Sequence, residues 1–225
     1  MFFSREINLI GQDNFEKLKN SKVAVFGIGG VGSYIVEALA RLGVGEIWLF
    51  DKDIVDETNI NRQLIATINT INQEKVEVAK ERVLSINPNC IVKPFKTFIS
   101  KDNVSLINLT QVDYVFDAID TVTSKVALIT YCKNNDIEII SCMGTGGKLR
   151  PELLKVDYIE NTKGCPLARV IRRELKAKNI SKVKVVYSQE IPISNGDRTP
   201  SSISFVPSVA GLIMVSEFYK YVSKK

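Results

Sequence analysis

Histidine is absent from all 225 residues. The side chain that most often moves protons near neutral pH is missing, so proton transfer falls to Asp, Glu, Lys, Tyr, Cys or the substrate. Cysteine is sparse: Cys90, Cys132, Cys142 and Cys165 lie 42, 10 and 23 residues apart. That spacing contains no C-x-x-C pair, which argues against a zinc knuckle or a thioredoxin motif, and four scattered thiols do not make a secreted disulfide scaffold. Long apolar runs are lacking as well. MFFSREINLIG has no basic start followed by an apolar stretch, so no signal peptide is expected. FVPSVAGLIMV is too short for a bilayer and contains Pro207, so a cytoplasmic protein with no membrane attachment is expected. Repeats, low-complexity tails and linkers are also missing. A prior of roughly 150 residues per domain then accommodates one domain over 1–225.

What is present is alternation. Short apolar runs at 23–27, 46–51, 90–95, 113–117 and 137–142 read as strands. Helical patterns at 31–42, 73–86, 101–109 and 121–134 lie between them. This order predicts an α/β fold, a mainly parallel sheet with helices on both faces. After Gly147 come a strand-like KVDYIEN, a helix over 166–178 and a strand VKVVYS, which are expected to extend the same sheet. A loop rich in Ser, Asn, Gly and Pro covers 194–202, and a last helix follows Pro207.

Gly27, Gly29 and Gly32, with Gly30 between them, satisfy G-x-G-x-x-G in the run VAVFGIGGVGS. The first glycine allows the tight turn, the second lets backbone amides approach a phosphate, and the third lets helix and strand pack closely. Asp51 stands 19 residues after Gly32, at the end of the next strand, where an acid binds ribose hydroxyls. The turn alone does not separate NAD from ATP. The residues after it favour ATP: Asp53, Asn59, Asn61, Arg62 and Gln63 follow the ribose acid, and Lys75 opens the next helix. An arginine fork suits phosphate oxygens better than it suits a dinucleotide. A second acidic pair, Asp117 and Asp120, closes a later strand, where a carboxylate suits Mg²⁺ held on phosphates. Each also has a structural reading, Asp117 as a loop brace and Asp120 as the N-cap of the following helix.

GIGGVGS, D-x-D, N-x-N-R-Q, Lys75 and D-x-x-D resemble the adenylating fold of the ubiquitin-activating, molybdopterin-synthase-activating and ThiF-type enzymes. RLGVGEIWLFDKDIVDETNINRQ, INPNC, VFDAIDTVTSKVALITYC, PLARVIRREL and SISFVPSVAGL resemble one branch, the tRNA threonylcarbamoyladenosine dehydratases. The resemblance implies a Rossmann-like adenylating fold. It implies that ATP adenylates the carboxylate of the modification on a tRNA adenosine, after which the activated carboxyl is attacked from within and closes a ring. It further implies that the glycines and Asp51 hold the nucleotide, that Arg62 and Lys75 stabilise the triphosphate, and that Asp120 holds Mg²⁺. Arg5 would reach the nucleotide of the second protomer of a homodimer. The chain has Phe2 where relatives often carry a further arginine, so only Arg5 is carried over.

Three other readings compete. Enzymes of the same fold activate the C-terminal glycine of a carrier protein, which would bring a sulfur-transfer or carrier-protein partner. They commonly carry C-x-x-C pairs and a reactive cysteine; this chain lacks the pairs and leaves Cys165, just before Pro166, as the candidate thiol. An NAD oxidoreductase is disfavoured by the missing histidine and the N-x-N-R-Q loop. A non-catalytic nucleotide sensor is disfavoured by the presence of both Arg62 and Asp120.

Charge supports a tRNA substrate. Residues 163–184 carry eight basic side chains against one acid, Glu174, in a chain of net charge +5. Arg169, Arg172, Arg173 and Lys176 recur at helical spacing, opposite Leu167, Val170, Ile171 and Leu175. The pattern predicts a helix that buries one face and offers a basic stripe to phosphate.

Overall fold

The computed structural model describes residues 2–193 and 201–224. Most of the loop expected over 194–202 lies outside the described residues.

Seven strands form one sheet in the order β3-β2-β1-β4-β5-β7-β6. They are β1 Lys22–Phe26, β2 Glu46–Asp51, β3 Ile91–Lys96, β4 Tyr114–Asp117, β5 Ile139–Cys142, β6 Leu154–Tyr158 and β7 Lys184–Ser188. Every pairing is parallel except β6 on β7. Strand alternation sorts the side chains. Val23 and Val25 of β1 join a core beneath α3 (Gly32–Arg41), α4 (Lys75–Ile86) and α7 (Phe205–Val222). Ala24 and Phe26 join the opposite core beneath α5 (Val122–Asn134) and α6 (Pro166–Lys176). The parallel strands are therefore apolar on both faces, as a sheet covered by helices requires. Pro94 sits in β3, an edge strand, where a missing N–H costs no ladder bond.

The topology positions the site. After β3 the chain returns across the sheet to place β4 beside β1, and the crevice at such a reversal is where open α/β sheets bind ligands. Gly27, at φ +85°, lies so close to the loop after β4 that a Cβ there would sit 2.8 Å from the Ala118 carbonyl oxygen. A Cβ on Gly32 would sit 1.7 Å from the Gly27 carbonyl oxygen, so the third glycine is needed for α3 to start on top of the turn.

Two elements differ from expectation. The helix expected over 101–109 is two short 3₁₀ turns, Val104–Leu106 and Leu109–Gln111. Asn103 is the cause: its Oδ1 accepts from Ser100 N at 2.8 Å and its Nδ2 donates to Phe98 O at 2.7 Å, so the side chain competes for the local backbone. The last helix begins at Phe205 rather than after Pro207. Pro207 is tolerated within the first turn, where the backbone N–H groups have no intrahelical partner.

The N-terminal helices are α1 (Ser4–Ile10) and α2 (Gln12–Lys19). No residue of α1 is fully buried, and Phe2 and Leu9 are exposed. Burial raises the Glu6 carboxyl to about 7, and its Oε1 has no partner among the described residues. A carboxyl raised in the folded state adds stability below its unfolded pKa and loses it as pH rises through the folded value. Glu6→Gln is expected to match the wild type at about pH 4 and to exceed it at about pH 8, by on the order of 1 kcal/mol because the side chain is half exposed. Urea unfolding at the two pH values checks this.

Candidate adenylation site

A cavity of about 670 Å³ opens at the C-terminal ends of the strands. One wall is the glycine turn: Gly27, Gly29 and Gly30 line it, while Gly32 lies behind them under α3. Asp51 braces that turn. Its Oδ2 accepts from Ile28 N at 2.6 Å and its Oδ1 from Asp53 N at 2.9 Å. Asp51 lines the cavity, and each carboxylate oxygen has acceptor capacity beyond these bonds, which a ribose hydroxyl could use.

The polar loop after β2 closes the next wall. Asn59, Arg62 and Gln63 all line the cavity. The Arg62 stem packs on Gly30, where a Cβ would lie 3.3 Å from Arg62 Cγ, so this glycine makes room for the arginine. Its Nη1 donates to Thr58 O at 2.9 Å and to Asn61 Oδ1 at 2.8 Å, which orients the guanidinium. Asn59 is partly structural: its Oδ1 accepts from Asp56 N at 3.2 Å in a capping box. Gln63 is buried, and its Oε1 has no partner among the described residues. Lys75, the first residue of α4, is buried with its Nζ 3.6 Å from Asp53 Oδ2.

The two acids after β4 separate. Asp120 is exposed, lines the cavity, and makes one long contact, accepting from Thr121 Oγ1 at 3.3 Å. It is not the N-cap of α5; Thr121 holds that position. Asp117 is no cation ligand. It is fully buried and accepts from Lys125 Nζ at 2.8 Å, from Ser141 Oγ at 2.6 Å and, through Oδ1, from Ile119 N at 3.1 Å. The pair braces the loop from which Asp120 projects.

The far wall was not read from the sequence. It is a second glycine-rich turn, residues 144–148 after β5, together with Cys165, Pro166 and Leu167 at the start of α6. Lys148 ends the turn, buried, with Nζ donating to Gly144 O at 2.7 Å. The signal was available: MGTGGK follows an apolar strand, as the first glycine turn does. The two walls are linked, since Asn61 Nδ2 donates to Ser202 O at 3.1 Å and Gly147 N to Ser201 O at 2.6 Å.

The remaining expected residues are placed differently from the nucleotide wall. Arg5 is exposed on α1 and does not line it. All four cysteines are buried, Cys165 among them at 3% exposure, and its side chain does not cap α6. The basic stripe is narrower than four residues. Arg172 lies four residues after buried Ala168, about 40° round the helix, and its Nη1 donates to both Thr162 O and Thr162 Oγ1 at 2.7 Å. Arg169, Arg173 and Lys176 are exposed, Arg173 with its guanidinium 3.0 Å from Glu174. On the opposite face Ile171 and Leu175 are buried, and Leu167 and Val170 only half-buried.

Among the described residues no group of three or more His, Cys, Asp or Glu side chains could hold a metal by itself, and no helix is long and apolar enough to cross a membrane. An exposed carboxylate such as Asp120, lining a cavity of about 670 Å³, is a donor that suits Mg²⁺, because that ion keeps waters and takes phosphate oxygens.

The chain is similar to known proteins in sequence and in fold. The tRNA threonylcarbamoyladenosine dehydratase of Bacillus subtilis is 44% identical over 230 residues, which cover 94% of this chain and 91% of that one. The Escherichia coli protein of the same name is 40% identical over 78% of this chain, which spans 65% of its length. Solved structures of that E. coli dehydratase, TcdA, in complex with AMP and with ATP superpose with a TM-score of 0.93 at 35% and 36% identity, covering 98% of this chain and 93% of theirs. E. coli MccB with ATP, at 21% identity and a TM-score of 0.73, shares the fold. A sequence model described as the ThiF family matches residues 3–225, and the chain belongs to that family.

Proposed function

We propose that this protein is an ATP-dependent, AMP-forming dehydratase of threonylcarbamoyladenosine in tRNA, built as one adenylating unit over residues 1–225. The observation that carries the reading is a near full-length likeness to the Bacillus subtilis dehydratase. It is supported by a cavity that runs from a phosphate-type glycine turn to a second, separate wall.

The chemistry suits the residues present. A carboxylate oxygen of the substrate attacks the α-phosphorus of ATP; an acyl–O–P bond forms, the bond to the β-phosphate oxygen breaks, and pyrophosphate leaves with the electron pair. An atom within the modification then attacks the acyl carbon, and AMP leaves. The protein supplies no nucleophile. It orients two anions and stabilises phosphate charge through Arg62, Lys75 and the backbone amides at the start of α3. Asp51 takes the ribose, with Asp53, Asn59 and Gln63 shaping the nucleotide wall. Asp120 would hold Mg²⁺, which when bound neutralises charge on the phosphates. The protein works as a cytoplasmic homodimer in which Arg5 of one protomer enters the cavity of its partner. The missing histidine is no obstacle to any of this.

The carrier-protein reading is weaker here, because a thioester acceptor needs an accessible thiol and Cys165 is 3% exposed. The deciding experiment incubates the protein with ATP, Mg²⁺ and tRNA bearing the modification, then weighs the digested nucleosides. The modified adenosine is expected to lose the mass of one water. An unchanged nucleoside, with AMP released only on adding a carrier protein, would overturn the reading.

The exposed cations of α6 carry the tRNA backbone. The helix starts at the cavity rim, so phosphate held along it places a nucleoside at the opening. Replacing Arg169, Arg173 and Lys176 together with Gln is expected to preserve folding and ATP affinity. The log–log salt dependence of tRNA binding should flatten by about 2, at roughly 0.7–0.9 per phosphate contact. Arg172→Gln should instead loosen the Thr162 junction and leave the slope nearly unchanged. An unaltered slope in the triple variant would remove α6 from the RNA surface.

A further inference from the structure

Among the described residues three lysines are buried: Lys75, Lys125 and Lys148. Lys75 has Asp53 at 3.6 Å and Lys125 has Asp117 at 2.8 Å. Lys148, 2% exposed, has no carboxylate within ion-pairing distance among the described residues. Its ammonium has three N–H donors, and the recorded acceptors are two uncharged carbonyls, Gly144 O at 2.7 Å and Ser188 O at 3.5 Å.

The groups around it form no direct ion pair with it. Glu190 acts on it through space, but the two Glu190 oxygens accept from Leu149 N at 2.9 Å and Arg150 N at 3.0 Å rather than from Lys148. Burial pushes the Cys142 thiol up to about 12, which keeps it neutral. Cys165 lies on the same wall, its Sγ 3.8 Å from where a Gly144 Cβ would stand. Desolvation pulls the Lys148 pKa below the ordinary lysine value, with Cys165, Cys142 and Glu190 opposing. A buried cation with no counter-ion among the described residues is costly, and a ligand that supplied the opposite charge would relieve that cost.

The turn that holds it is rigid. Gly147 has φ +68°, its N donates to Ser201 O at 2.6 Å, and its carbonyl accepts from Ile193 N at 2.7 Å. A Cβ at Gly147 would lie 2.8 Å from Ile193 O, so only glycine fits this point of the turn. Lys148 lines the cavity from the wall that carries none of the expected nucleotide residues.

We propose that Lys148 binds the carboxylate of the second substrate, and that the substrate is its missing counter-ion. This rests on the adenylation reading above and adds where the acceptor acid sits. One carboxylate oxygen pairs with the Lys148 ammonium, which offsets repulsion between carboxylate and triphosphate. The other attacks the α-phosphorus, with pyrophosphate leaving as described. The acyl carbonyl oxygen then remains on the ammonium. When the modification attacks the acyl carbon, Lys148 stabilises the oxyanion until AMP leaves with the electron pair, and the proton displaced from the carbamoyl group passes to solvent.

The test compares tRNA with and without the modification, on the wild type, Lys148→Met and Lys148→Arg. Only modified tRNA presents the carboxylate. Wild type should prefer modified tRNA, and Lys148→Met should lose about tenfold of that preference, the loss of one charge-assisted bond. Its affinities for ATP and for unmodified tRNA should stay unchanged, and Lys148→Arg should recover part of the preference. An undiminished preference in Lys148→Met, or a parallel fall in ATP affinity, would overturn the proposal. Should Lys148→Met fail to fold, the wild type decides through pH. The preference should decline as pH rises through the depressed lysine pKa while affinity for unmodified tRNA holds; a pH-independent preference counts against the proposal. Failure of the functional reading is separate: the wild type itself would leave modified tRNA unchanged, and the same variants would then be compared on the acid that does release AMP.

Discussion

Asp120→Asn is expected to leave a folded protein that binds ATP and forms almost no acyl-adenylate. Asp120 is exposed, and its one recorded contact is the 3.3 Å bond from Thr121 Oγ1, which an amide oxygen can still accept. Folding stability should therefore change by no more than about 0.5 kcal/mol, the usual range for a surface substitution. Activity is a different matter. On the proposed reading the substitution removes a negative charge at the cavity and with it the carboxylate that would hold Mg²⁺; loss of such a ligand would forfeit several kcal/mol of transition-state stabilisation, about a thousandfold in rate. Pyrophosphate exchange into ATP, measured with modified tRNA present, reports the adenylation step alone. Exchange at the wild-type rate would show that Asp120 is not the essential carboxylate and would reopen the assignment of the loop after β4.

Lys125→Met should produce the largest loss of stability. Lys125 and Asp117 are both fully buried, and Lys125 Nζ also donates to Ser141 Oγ at 3.0 Å. Removing the lysine leaves a buried carboxylate with no counter-ion, which costs about 3–5 kcal/mol. Equilibrium urea unfolding measures it. Function should fall as well, because Asp117 Oδ1 fixes Ile119 N, the residue before Asp120. A double variant, Lys125→Met with Asp117→Leu, separates the two effects. Replacing a buried pair by apolar residues is often close to neutral for stability, so unfolding should recover. The bond to Ile119 N is still missing, so adenylation should stay low. Recovery of both would reduce the pair to a packing element, and a single variant as stable as the wild type would contradict its burial.

Much of this was legible because it is local. The G-x-G-x-x-G turn, Asp51 at the end of β2 and the arginine loop are each written in a few consecutive residues, and their place at strand ends follows from alternation of apolar runs. The parallel sheet with helices on both faces and its C-terminal extension were readable for the same reason: period and burial are properties of a segment. Errors came where side chains compete with period. Over 101–109 the apolar residues are spaced for a helix, yet Asn103 binds Ser100 N and Phe98 O and stops it.

Pairings between distant residues needed the tertiary structure. By sequence, Asp117 and Asp120 are equivalent members of D-x-x-D. Folding brings Lys125 and Ser141 onto Asp117, eight and 24 residues away, and leaves Asp120 facing the cavity. The four cations of α6 look alike in sequence until Thr162 meets Arg172 from ten residues upstream. Lys148 carries no sequence signal of its own, and only the packing of β5, β7 and α6 around it shows that it is buried with no ion-paired carboxylate among the described residues. The sequence alone determined the fold class and the glycine turn after β1, because local pattern sets backbone period and turn chemistry. The tertiary structure decided which charges are spent within the protein and which remain for a ligand, because desolvation and ion pairing depend on neighbours that the chain brings together only on folding.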